Sequence, residues 1–181
     1  MRSSHYARRL RDQNRRYRKR KFPKLTIVCH TQSHLIAAAL ATVGPSYDVN
    51  LFEPALLRAS WNLNIARLLA DAGYDSEPNH RMARQGLGIR STVIRLNRRG
   101  RFRARSQRGR RRLPAGTYRR QMARCFHYRK YRQRAQAESV ISRIKRRLGS
   151  ALRGRSDAAR QRESDLKVFT HDLMILAGSG S

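Results

Sequence analysis

YRQRAQAESVISRIK, Tyr131 to Lys145, holds a single glutamate in strongly basic surroundings, and no Asp or Glu occurs between Glu77 and Glu138. At about 100° per residue on an α-helix, Tyr131, Arg134, Glu138 and Lys145 fall within a stripe about 60° wide. They therefore face one target together. Ala137, Val140, Ile141, Ile144 and Leu148 form a second, apolar stripe that pins the helix to a core. Gly149 supplies the helix stop.

Tyr, two residues, Arg, three residues, Glu, six residues, Lys resembles the C-terminal motif of bacterial insertion-sequence DDE transposases, and all four positions match. Upstream, LLADAGYDS at Leu68 to Ser76 is similar to the segment around that family's second catalytic aspartate, which places Asp71 in that role. The resemblance runs from KLTIVCHTQSHLI at Lys24 to DLKVFTHDLMIL at Asp165, with the motifs in the right order. Without it, Glu138 reads as an i,i+4 partner on a solvated face. Asp71 likewise reads as an ordinary turn residue.

What the resemblance implies is specific. The fold is α/β and ribonuclease H-like, a mixed sheet with flanking helices, the first aspartate on the first strand, the second after the fourth, and the glutamate on a later helix. Asp71 and Glu138 are then the catalytic pair and hold Mg²⁺ or Mn²⁺ in a two-metal site, while Tyr131, Arg134 and Lys145 contact the DNA backbone. Carboxylates suit such hard cations, and two of them promote in-line displacement at a phosphodiester. The implied reaction is DNA strand cleavage followed by strand transfer. Its partners are double-stranded DNA, as element ends and target, and further copies of the chain on that DNA.

One departure stands out. The family's first aspartate belongs before the strand near Leu25, in an Asp-Ser-Thr-like segment, yet Asp12 is the only acid before Asp48 and its surroundings, RRLRDQNRRYR, do not read as a buried strand. The expectation is a partial catalytic domain lacking its first strand, through loss or a start codon placed too late, and unable to transpose alone.

Composition agrees with a polyanionic partner. The 181 residues carry a formal net charge of +31, and 36 of the 42 basic residues are Arg, the side chain suited to bidentate phosphate contacts. Arg98 to Arg120 holds 11 arginines and no acid. A run this dense is expected to be a mobile loop that phosphates neutralise, with Arg110, Arg111 and Arg112 as DNA-binding residues. Cys29 and Cys125 lie far apart without a metal-ligand cluster, which points to a reducing compartment. The longest apolar run, LIAAALATV at Leu35 to Val43, is too short to span a bilayer. A cytoplasmic, nucleoid-associated protein is expected.

Along the chain, residues 1–24 form a basic arm, 25–177 the partial catalytic domain with the basic insertion 98–120, and 178–181 a flexible tail. LTIVCH and HLIAAALATV read as a hairpin. Asp48 is expected to cap the helix carrying Leu51, Phe52, Leu56 and Leu57, with Pro54 in its first turn. Ile65 to Asp71, a helix over Glu77 to Gln85 and a strand at Ile89 to Leu96 make a β-α-β unit. Gly73 is expected to allow a tight turn. His30, at the end of its strand, is read as structural. Leu166, Phe169, Leu173 and Leu176, at helical spacing, should pack the last helix on the sheet. Two other functions fit the charge: a catalytically silent DNA-binding remnant of the same fold, and a basic RNA-binding protein.

Overall fold

The computed structural model describes residues 22–44, 46–97 and 113–178. Strands β1 (Phe22–Cys29) and β2 (Ile36–Gly44) form an antiparallel hairpin, in register from Leu25 opposite Ala41 to Val28 opposite Ala38, with a bulge before Cys29. Its loop is closed by the His30 N–H to the Leu35 carbonyl at 2.8 Å. His30 Nδ1 accepts the Ser33 N–H at 3.2 Å, so this histidine is a turn residue.

A 3-10 turn (Asp48–Leu51) leads into α1 (Phe52–Ser60), with Pro54 in its first turn. Strand β3 (Arg67–Ala70) is followed by α2 (Glu77–Arg81), which continues into a π turn at Met82–Gly86, and by β4 (Ser91–Ile94), parallel to β3. This is the expected β-α-β unit. After the insertion come α3 (Thr117–Arg124), α4 (Tyr128–Arg132), α5 (Ala135–Leu148) and α6 (Asp157–Gly178).

Two cores result. Val140 and Ile144 of α5 pack on Ile36 and Ala39 of β2, with Leu25, Ile27 and Cys29 of β1 and Val168 of α6 at the margin. Phe52 and Leu56 of α1 meet Leu68, Ala83, Ile89 and Ile94 in the other. Among the described residues the strands make two separate two-stranded sheets, β1–β2 and β3–β4, where a single mixed sheet was expected. Among the described residues each of the four strands therefore keeps one edge without a strand partner.

Several local expectations change. Asp48 caps nothing: no side-chain cap bond forms at either helical turn, and its carboxylate instead pairs with Lys24. Gly73 lies against the same carboxylate, since a Cβ there would come 2.6 Å from Asp48 Oδ2 and push it aside, and its φ is not positive. The motif helix is not continuous, because Gln133 and Arg134 form a turn between α4 and α5. Residues 113–120, expected within a mobile loop, include a buried Pro114 and the first turn of α3.

The last helix uses another face. Leu166, Phe169, Leu173 and Leu176 are all half or more exposed, while Ser164 and His171 are buried. The reason is the outer edge of β2, whose N–H groups need acceptors. Ala41 donates to Gln161 Oε1 at 3.0 Å and Ile36 to the Asp172 carboxylate at 3.1 and 3.2 Å, so α6 turns a polar seam toward the strand. Apolar spacing could not reveal that demand.

Burial sets the reactivity of the two thiols apart. Burial, reinforced by the Asp172 charge, pushes the Cys29 thiol up to about 11, whereas Cys125 is exposed. Iodoacetamide at pH 8 is expected to label Cys125 well before Cys29, read by peptide mass. Equal rates would show that β1 opens in solution.

Candidate active site

Asp71 ends β3 in extended backbone, and the chain then turns back so that the Tyr74 N–H reaches the Asp71 carbonyl at 3.0 Å. Its carboxylate therefore stands at the C-terminal end of a parallel strand, where open α/β sheets gather ligands. Glu138 lies in the first turn of α5, a position the helix dipole favours for an acid. Arg134, just ahead of α5, bridges them: its Nη1 lies 3.1 Å from Asp71 Oδ2 and 2.6 Å from Glu138 Oε1. Two oxygens sharing one nitrogen cannot be further apart than those two lengths laid end to end.

The Arg134–Glu138 contact is the i,i+4 pair that any helix can make. Asp71 is not local, since it arrives from 63 residues away. Convergence of these three residues is the feature their sequence spacing alone could not show. Side-chain exposures of 55 % for Asp71 and 64 % for Glu138 leave both open to an incoming phosphate. Exposure also keeps each ion pair weak, at about 0.2–1 kcal/mol.

Tyr131 is buried, its ring 5.0 Å from that of Phe126 and beneath the Arg134 guanidinium. Its hydroxyl reaches Asp71 Oδ1 only at 3.4 Å, a long contact. Burial, and then the Asp71 charge, raise the Tyr131 phenol above its ordinary value, so it stays a neutral donor. Lys145 is exposed, seven residues beyond Glu138 and so about 10 Å further along α5. Arg110, Arg111 and Arg112 lie outside the described residues.

Behind Asp71 stands a network that the sequence did not disclose. Asp75, whose side chain is fully buried, accepts Arg119 Nε at 3.0 and 3.1 Å, Arg119 Nη2 at 2.8 Å and the Asn97 N–H at 2.8 Å. Buried His80 sits 3.7 Å from it and bonds Thr92 Oγ1 through Nδ1 at 2.7 Å. Burial opposes the Asp75 charge, but His80, Arg119 and the Asn97 N–H outweigh it and hold the carboxyl below its ordinary value. Glu77 caps α3 by accepting the Tyr118 and Arg119 N–H groups, both at 3.0 Å. A Cβ on Gly116 would come within 2.0 Å of Glu77 Oε2, so that glycine makes the cap accessible. The turn after β3, the end of β4 and the start of α3 are thus tied to two acids four and six residues beyond Asp71. LADAGYDSE showed three acids in a row of nine, yet nothing in the sequence told which were buried.

The donor set decides what cation the site can take. Two carboxylates suit one hard cation that keeps waters and substrate phosphate in its remaining positions. Among the described residues no three of His, Cys, Asp and Glu come together as a metal group, so a two-ion site is not assembled from them. Asp48, held by Lys24, does not join the pair.

No helix among the described residues is long and apolar enough to cross a membrane. Comparison with curated proteins and with solved structures gives no match. A family model described as a transposase DDE domain matches residues 2–173. That span includes Asp71, Arg134 and Glu138, and with it the chain belongs to the transposase DDE domain family.

Proposed function

We propose that this chain carries the catalytic face of an insertion-sequence DDE transposase, with Asp71 and Glu138 as its cation-holding pair. The observation supporting this reading is the convergence of the two carboxylates on Arg134 Nη1 at 3.1 and 2.6 Å. A bound Mg²⁺ or Mn²⁺ would supply activation of the attacking oxygen and stabilisation of the leaving one. Asp71 and Glu138 hold their oxygens at one point on the surface. Arg134 neutralises them while the site is free of metal, and its guanidinium is the natural partner of a backbone phosphate once it swings away. Tyr131 steadies Asp71 from beneath, and Lys145 adds a point charge along the track that DNA would follow. Cleavage and joining of double-stranded DNA is the reaction, and element ends and target are the substrates.

Isothermal calorimetry with Mn²⁺ alone tests the pair. Asp71→Asn and Glu138→Gln should each weaken binding by more than about tenfold, the scale of loss produced even by residues behind the ligands. Both side chains are exposed, so the variants should unfold at nearly the same urea concentration as the parent. Arg134→Ala should tighten Mn²⁺ binding about two- to fivefold, since it frees both carboxylates from weak ion pairs.

The competing reading is a DNA-binding remnant of the same fold without catalysis. Mn²⁺ affinity that ignores both Asp71→Asn and Glu138→Gln would decide for the remnant.

A further inference from the structure

Helix α6 turns an apolar stripe to solvent. Leu166, Phe169, Leu173 and Leu176 are each half or more exposed, and their spacing of three, four and three residues is that of a coiled-coil seam. On the opposite side of the helix Ser164 and His171, seven residues apart, are buried. Gln161 and Asp172 fasten the inner side to the Ala41 and Ile36 N–H groups of β2. Rolling the leucines inward would strip both donors of their acceptors, so the stripe is fixed outward.

Charge says what can cover it. The chain carries a formal net charge of +31, and two copies repel one another wherever their basic surfaces approach. α6 is the exception, with the four acids Asp157, Glu163, Asp165 and Asp172 against the three bases Arg160, Arg162 and Lys167. Every exposed residue from 166 to 177 is uncharged. DNA therefore finds no cation on this stripe. A helix lying on anionic lipid would flank its apolar side with exposed Lys and Arg, which this one lacks over the same residues.

The spacing also reads the same in both directions, which makes the stripe complementary to itself. Two α6 helices set antiparallel about a two-fold axis bring Leu166 against the partner's Leu176 and Phe169 against the partner's Leu173. Arg162, one seam position before Leu166, then falls beyond the end of the partner's helix, where the last carbonyls favour a cation. A parallel pair would instead press two Arg162 side chains together. We propose that the outer face of α6 is a self-association surface, on which a second copy of this chain docks its own α6 antiparallel, with no need of DNA. The 22 residues of α6 make about 33 Å of helix, or three heptads, a seam short enough for the pair to be reversible.

The test uses the full chain, freed of nucleic acid by nuclease, in sedimentation equilibrium at about 0.15 and 1 M NaCl. A monomer–dimer equilibrium is expected, at least about tenfold tighter at the higher salt, where screening silences the repulsion and leaves an apolar seam intact. A dimer held by ion pairs or bridged by residual nucleic acid would weaken with salt, and that sign overturns the proposal. Phe169→Glu lowers the net charge, so it would favour pairing if repulsion alone mattered. Through the seam it should abolish the dimer at concentrations where the parent is mostly paired, while circular dichroism reports whether the variant folds. Orientation is read on a Cys125→Ser background, because Cys125 is exposed. Mixed Leu166→Cys and Leu176→Cys chains should form a disulfide-linked heterodimer on mild oxidation. Neither should link to itself, since ten helical residues, about 15 Å, separate the two copies of either position in an antiparallel pair. These cross-links carry the test alone if Phe169→Glu does not fold. A linked Leu176→Cys homodimer would make the seam parallel and overturn the proposal. So would a chain that stays monomeric at both salt concentrations, which would leave the stripe to another occupant such as residues 1–21 or a lipid surface.

Discussion

Asp75→Ala is expected to lower the unfolding free energy by about 3–5 kcal/mol, because it removes the buried carboxylate from a charge pair with Arg119. Arg119 loses three short contacts, the Asn97 N–H loses its acceptor, and His80 keeps a buried ring facing a void. Domains of this size are stable by only about 5–15 kcal/mol, so the variant should sit near the limit of folding. Asp71→Ala is the control. It removes a half-exposed carboxylate from weak pairs and should cost less than about 1 kcal/mol. Urea unfolding followed by circular dichroism separates the two, and equal midpoints for both variants would show that Asp75 is not where the turn after β3 is fixed. The pH dependence carries a sign. Asp75 is depressed below its ordinary 3.8 in the folded chain, so its contribution is fully present above that value and fades as pH falls toward the folded one. Asp75→Asn should flatten the acid limb of the stability curve in that window and leave neutral pH without such a slope.

How much of this was legible in the sequence depends on which forces decided each element. The hairpin and the β-α-β unit were legible because β-branched runs and turn residues act locally. The pair Asp71 and Glu138 was legible only through motif spacing, since a 67-residue separation has no periodicity to read. Gln133 and Arg134 break the motif helix although its 100° arithmetic ran on smoothly, and the break still leaves Arg134 between the two acids. The face of α6 was misread for a reason of principle. Apolar spacing predicts which stripe seeks a core, but α6 answers unpaired N–H groups on β2, and Gln161 and Asp172 serve that purpose where Leu166 and Phe169 cannot. Asp75 was passed over for the matching reason. Its partner Arg119 lies 44 residues away inside an arginine-rich stretch, where no single arginine stands out. The division of the strands into two sheets is likewise a property of edges, and edges are invisible to hydropathy.

Replacing Arg110, Arg111 and Arg112 together by Ala should change DNA binding more than any single substitution at the carboxylate pair. Each phosphate contact releases counterions, so log affinity falls against log salt with a slope of about −0.9 per contact, and three lost contacts make it shallower by about 2.7. Between 50 and 200 mM salt the parent chain should then lose roughly 40-fold more affinity than the triple variant. The cause is charge alone, so the difference should be the same on unrelated duplexes. Asn97 and Arg119, on either side of residues 98–112 in the sequence, are both fastened to Asp75. Lys145→Ala offers the calibration, with one contact and a slope change near 0.9. Anisotropy titrations of a labelled duplex at four salt concentrations measure all three slopes. An unchanged slope in the triple variant would remove residues 98–112 from the DNA interface and return that role to the arginines of the N-terminal arm.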